Sequence, residues 1–91
     1  MSRVEQNCQI QNKLGLHLRA AAAFVKVAER YKSEVSLERD GVRANGKSII
    51  ALVTLAASLG TQVKVVADGP DATEAVGALV ALVEDRFGEG A

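Results

Sequence analysis

The chain has one cysteine, one histidine, one proline and no tryptophan in 91 residues. The lone Cys8 excludes a disulfide within the chain and a cysteine-rich metal site, and it points to a reducing compartment, the cytoplasm. With a single histidine, and neither HxxH nor CxxC spacing, no metal or cofactor is expected. Net charge is zero, from eleven basic and eleven acidic residues, and the only aromatics are Phe24, Tyr31 and Phe87. A nucleic-acid binder usually shows a basic excess and stacking aromatics; neither is here, so nucleic acid is not an expected partner. Long apolar runs are also missing. The stretch AVGALVALV at 75–83 falls far below the roughly 18 residues that span a bilayer. The opening MSRVEQ is polar and has no signal-peptide character. No membrane insertion is expected.

What is abundant is aliphatic. Hydrophobic residues make up 48% of the chain, mostly Ala, Val, Leu and Ile, enough for a core in one domain, residues 1–91, of a size that folds alone. Val4, Cys8 and Ile10 share one parity and predict a first strand over 4–10. Leu18, Ala21, Val25 and Ala28 recur at helical spacing and predict a helix from 18 to about 31 with these four on its buried face, supported by the alanines of RAAAAF. Val35 and Leu37 alternate with polar residues, and Asp40-Gly41 is a two-residue turn signal, so 33–46 reads as a hairpin. SIIALVTLAASLG mixes β-branched residues with Leu and Ala. Its length, Ser48 as N-cap and Gly60 as C-cap favour a helix. Val63, Val65 and Ala67 share one strand face. Residues 71–87 form the clearest helix, with Asp71 and Glu74 as a capping box and a stripe of Ala72, Val76, Leu79, Val83 and Phe87. The order is β-α-β-β-α-β-α. Three helices must bury their stripes on one sheet, giving a two-layer, open-faced α/β sandwich in which a four-stranded antiparallel sheet is covered on one face.

The histidine, His17, stands at the entrance of the first helix, in LGLHLRAA. An isolated histidine there is ordinarily a surface or capping residue. The helix entrance, however, has free N–H groups and partial positive charge. It favours a neutral imidazole over imidazolium and stabilises an anion attached to the ring. Arg19 adds a forked donor suited to phosphate oxygens, and Gly15 permits a turn that exposes the ring. A phosphoryl group could ride on this imidazole.

Two blocks carry a resemblance. GLHLRAAAAFVKVA is similar to the active-site segment of the HPr family, the histidine-containing phosphocarriers of the bacterial phosphotransferase system, whose pattern is Gly-Leu-His-Ala-Arg-Pro-Ala before an apolar helix. ANGKSIIALVTLAA resembles the family's regulatory serine segment. The resemblance implies that His17 is phosphorylated on its δ1 nitrogen, that Arg19 neutralises the phosphoryl group, and that Ser48 is a regulatory phosphorylation site where the dedicated kinase exists. It implies a strand order of 1-4-2-3. It also implies a stoichiometric carrier, not an independent catalyst, that accepts phosphate from the phosphoenolpyruvate-dependent enzyme I and hands it to enzyme IIA in sugar uptake, with the serine kinase/phosphorylase as a further partner. The chain departs from the pattern at Leu18, where the family usually has alanine, and at Ala20, where it usually has proline. Alanine keeps the first turn viable and adds a backbone donor that proline lacks.

The second predicted helix is apolar on more than one side. The surplus is either a wide core stripe or a docking patch, and Leu18, Ala20, Lys47, Ile49 and Leu52 are the expected partner contacts. Lys13, Arg19, Lys26 and Lys47 could rim such a patch and steer acidic partners. The protein is expected to act as a monomer. Within the family, a regulatory paralogue in a nitrogen-related branch is the alternative. Outside it stand an acylphosphatase-like enzyme, for which LGLHLR lacks the arginine-bearing phosphate loop, and a non-catalytic module in which His17 and Ser48 are only caps.

Overall fold

The computed structural model describes residues 2–90. Its elements run β1 (Arg3–Gln9), α1 (Leu18–Ala28), β2 (Glu34–Arg39), β3 (Val42–Asn45), α2 (Ile49–Thr54), β4 (Gln62–Asp68) and α3 (Ala72–Glu84), followed by a 3-10 turn at Arg86–Gly88. The strands form one antiparallel sheet in the order β1-β4-β2-β3. Fold class, element order and strand order all match the expectation.

The register explains the core. On β4, Val63, Val65 and Ala67 point to the helices and are buried. Val65 lies opposite Gln6 of β1 and Leu37 of β2, and Leu37 lies opposite Ala44 of β3. Phe24 of α1, Leu52 of α2 and Leu79 of α3 close over this row, each with no exposure. Burying one such side chain stabilises the fold by about 1.5–3 kcal/mol. The opposite sheet face is polar apart from the buried Val66, with Glu38 paired to Arg43 at 2.7 Å and Glu5 to Lys64 at 3.5 Å. Cys8 sits in the core as expected, and burial, with the Glu84 carboxylate as a lesser cause, pushes its thiol up to about 11. The hairpin turn has Asp40 at φ 49° and Gly41 at φ 80°, the positive angles that match strand twist.

Four details depart from the sequence reading. Leu18 was placed in the buried stripe of α1 but is 65% exposed. It is the first helical residue, and helical side chains tilt toward the N-terminus, so it projects off the end of the helix. The buried set is Ala20, Ala21, Phe24, Val25 and Ala28. The second helix stops at Thr54, well short of Gly60: Ala56 adopts a left-handed φ of 54°, and the Ala57 carbonyl turns to accept the Leu16 N–H at 2.8 Å. Six residues make no stable helix alone; burial of Leu52 and Leu55 holds α2 in place. Asp71 precedes α3 but makes no capping hydrogen bond. Its carboxylate instead accepts from the Lys32 and Ser33 N–H groups at 2.8 and 2.9 Å and from the Ser33 hydroxyl at 2.6 Å. Three donors beyond the end of α1 outcompete one helix amide. Finally, α3 ends at Glu84, yet every member of its stripe is buried, because Phe87 reaches the core from the following turn.

Candidate functional site

The loop before α1 is built to hold one imidazole. Gly15 takes φ +69°, and a Cβ there would lie 2.6 Å from the Ala57 carbonyl oxygen. Only glycine lets the loop approach the segment after α2 this closely. The Leu16 N–H to Ala57 bond then fixes the chain direction, and the His17 N–H returns to the Gly15 carbonyl at 3.0 Å. His17 is the N-cap of α1, with extended backbone, and its Nδ1 accepts the Arg19 N–H at 3.2 Å. The capping reading of this residue is therefore correct as far as it goes.

The other side of the ring is the finding that the sequence reading missed. His17 Nε2 lies 2.6 Å from Oε2 of Glu89. The Asn12 side-chain amide, fully buried, donates to the Gly15 carbonyl at 2.7 Å and to Oε1 of Glu89 at 2.8 Å. Since Nδ1 accepts a backbone N–H, the hydrogen-bond network places the ring proton on Nε2, where it is donated to Glu89. Partial burial works to raise the Glu89 pKa. The hydrogen bonds from Asn12 and His17 and the nearby Arg19 guanidinium outweigh it, and the carboxyl is held below its ordinary value. Arg19 is 3.5 Å from the same carboxylate, with its side chain 78% exposed and free to swing toward an arriving anion.

Glu89 reaches the site through an unusual turn. Arg86 and Phe87 both adopt positive φ, 57° and 55°, and Gly88 follows at 79°. Each non-glycine residue in that region costs about 1–2 kcal/mol, and the buried Phe87 ring holds the turn in place. The sequence reading treats GEGA as a tail, and no periodicity links Glu89 to a histidine 72 residues away.

Of the other expected site residues, Ser48 is the N-cap of α2 and accepts the Ala51 N–H on Oγ at 3.2 Å. The expected docking set divides. Leu18 is exposed and Ile49 half-buried. Ala20 and Leu52 are buried, at 1% and 0% exposure, and cannot touch a partner on the surface. They belong to the core stripes of their helices, which settles Leu52 as packing. Lys47 is tied through Nζ to the Tyr31 carbonyl at 2.8 Å, next to Ser48 at the start of α2 and at the opposite end of α1 from His17. The exposed apolar surplus of α2 is Ile50, and Leu14, Val42 and Leu59 are exposed as well. Among the described residues no three His, Cys, Asp or Glu side chains cluster to hold a metal, and no helix is long and apolar enough to cross a membrane.

A ring nitrogen whose lone pair takes only one backbone N–H at a helix entrance, an arginine within reach and a held proton on the far nitrogen form a nucleophile suited to carry an anion. Comparison with known proteins agrees. The family model described as the PTS HPr component phosphorylation site matches residues 4–85. The chain belongs to the HPr family. The phosphocarrier protein HPr of Neisseria meningitidis serogroup B is 46% identical over 87 residues, covering 96% of this chain and 98% of that one. The HPr-like protein Crh of Bacillus subtilis is 45% identical over 83 residues, covering 91% and 98%. Among solved structures, HPr-C-His from Thermoanaerobacter tengcongensis superposes with a TM-score of 0.89 at 43% identity, over the whole of both chains. This HPr-family membership sets aside the acylphosphatase-like alternative.

Proposed function

We propose that this HPr-family chain carries a phosphoryl group on Nδ1 of His17, taken from phosphoenolpyruvate-dependent enzyme I and passed to an enzyme IIA domain in cytoplasmic sugar uptake. The observation that carries the reading is the orientation of the imidazole: Nδ1 accepts the Arg19 N–H and faces the first turn of α1. In-line transfer needs a positioned nucleophile and positive charge around the moving phosphoryl. The Nδ1 lone pair attacks phosphorus. The Arg19 N–H that had donated to Nδ1 is released toward a phosphoryl oxygen, joined by the neighbouring amide of Ala20, a donor that proline would lack. The Arg19 guanidinium leaves the Glu89 carboxylate for the new dianion, a stronger pairing for its forked donors.

Partner choice on this reading resides in the exposed apolar side chains about the histidine. Leu18 presents a larger surface than the family's usual alanine, whereas Ala20, its side chain buried, offers a partner no side-chain contact and changes only the backbone donors of the first turn. That contrast supports the second reading within the family, a regulatory paralogue in a nitrogen-related branch: the departure that a partner can feel is Leu18. Ser48 is proposed as the regulatory phosphorylation site. A phosphate there adds about two negative charges beside the half-buried Ile49 and exposed Ile50 and would repel an acidic partner.

Incubation with enzyme I and labelled phosphoenolpyruvate tests the carrier role. Acid-labile label should appear on the chain, pass to an enzyme IIA domain, and be lost in His17→Ala. Undiminished labelling of that variant would sink the proposal.

A further inference from the structure

The contact between His17 and Glu89 joins the ring to the far end of the chain, and three independent features support it. The carboxylate is clamped from behind by the fully buried Asn12 amide. It is delivered by consecutive left-handed residues, Arg86 and Phe87, a conformation that persists only where the surroundings impose it. It meets Nε2 at 2.6 Å, the short distance of a charge-assisted bond. Strained backbone, a buried clamp and a short bond converge on one ring nitrogen, the one opposite the lone pair.

We infer that Glu89 is a positioning residue for phosphoryl transfer: it holds the Nε2 proton and ring orientation so that Nδ1 presents its lone pair, and it balances the positive charge the ring acquires on phosphorylation. The inference rests on the acceptor reading of His17. As the Nδ1–P bond forms and the donor's bond to phosphorus breaks, the leaving group takes that electron pair. The ring keeps its Nε2 proton and becomes cationic. A carboxylate on that proton favours the cationic product, as an aspartate orients and stabilises the imidazole of a catalytic triad. Arg19, shared with Glu89 before transfer, is the group that moves. Glu89 stays, because Asn12 holds it.

Phosphoramidate, a small phosphorus–nitrogen donor that releases ammonia, tests this without any protein partner. The full-length parent, Glu89→Gln and Glu89→Ala are phosphorylated by it under saturating donor, with thermal melting measured alongside. Both variants should label His17 about tenfold more slowly, equal to ~1.4 kcal/mol in the barrier. The downfield, slowly exchanging Nε2 proton of the parent, seen by proton NMR, should vanish in Glu89→Ala. If Glu89 only anchors the chain end, melting falls while the labelling rate stays put. Rates within twofold of the parent, or faster because a negative charge near a dianionic donor has been removed, overturn the inference and leave the acceptor reading intact. A parent chain that takes no label fails the acceptor reading, and the positioning role with it.

Discussion

Replacing Gly15 by alanine should be among the costliest single-methyl additions in this protein, and the structure says why. Two effects add. A non-glycine residue at φ +69° costs about 1–2 kcal/mol. The new Cβ would also sit 2.6 Å from the Ala57 oxygen and 2.9 Å from Ser58 Cα, both backbone atoms that cannot rotate away, so the two segments must part. Overpacking of this kind costs about 1–3 kcal/mol, which brings the sum to roughly 3 kcal/mol. In a domain of this size that lowers Tm by about 12–24 °C. Gly41→Ala is the matched control. It has φ +80° with nothing within 4 Å of the added Cβ, so only the backbone effect applies, about 1 kcal/mol or 4–8 °C. Thermal melting followed by circular dichroism measures both. The Gly15 variant should also label His17 more slowly, since the loop that opens carries the imidazole. Equal melting points for the two variants would refute the claim that the His17 loop is locked against the segment after α2.

Three more outcomes are expected. Leu52→Ala should cost about 2–5 kcal/mol by leaving a cavity in a fully buried site, whereas Ile50→Ala, 76% exposed on the same short helix, should stay within about 0.5 kcal/mol; chemical denaturation separates them. The hydrogen bonds from the Ser33 hydroxyl and the Lys32 and Ser33 amides hold the Asp71 carboxyl down to about 2, from 3.8. Because the unfolded chain binds that proton more readily, this contribution is complete above about pH 4 and is lost as pH falls toward 2; acid denaturation of Asp71→Asn should lack that loss. Leu18→Glu should leave Tm unchanged and raise the KM for enzyme I by roughly tenfold, the loss of one apolar contact worth about 1.4 kcal/mol.

The architecture was legible where a local pattern repeats along one element. The alternation of Val63, Val65 and Ala67 and the stripe from Ala72 to Phe87 each record a face that must be buried, and each is buried as read; the Asp40-Gly41 pair records a tight turn and forms one. Signals failed where a partner from elsewhere in the chain decided the outcome. Asp71 and Glu74 spell a capping box, but Lys32 and Ser33 bring better donors to the carboxylate. Gly60 resembles a helix stop, yet Ala56 turns left-handed earlier because Ala57 is drawn to the loop before α1. Leu18 fits the helical spacing but lies at a helix end, where there is nothing to pack on. The site divides the same way. His17, Arg19 and Ser48 stand in two contiguous blocks that a reader of sequence can see. Asn12 and Glu89 act on the same imidazole from positions 77 residues apart, and neither residue is unusual for its neighbourhood.

The central claim is that Nδ1 of His17 is the atom that bonds phosphorus, with Nε2 keeping its proton. Nitrogen-15 and phosphorus-31 NMR of the chain after incubation with enzyme I and phosphoenolpyruvate tests this directly. The account predicts one phosphoryl group per chain, coupled to Nδ1 of His17, with the Nε2–H intact. A phosphoryl group on Nε2, or on any other residue while His17 stays free, would contradict it.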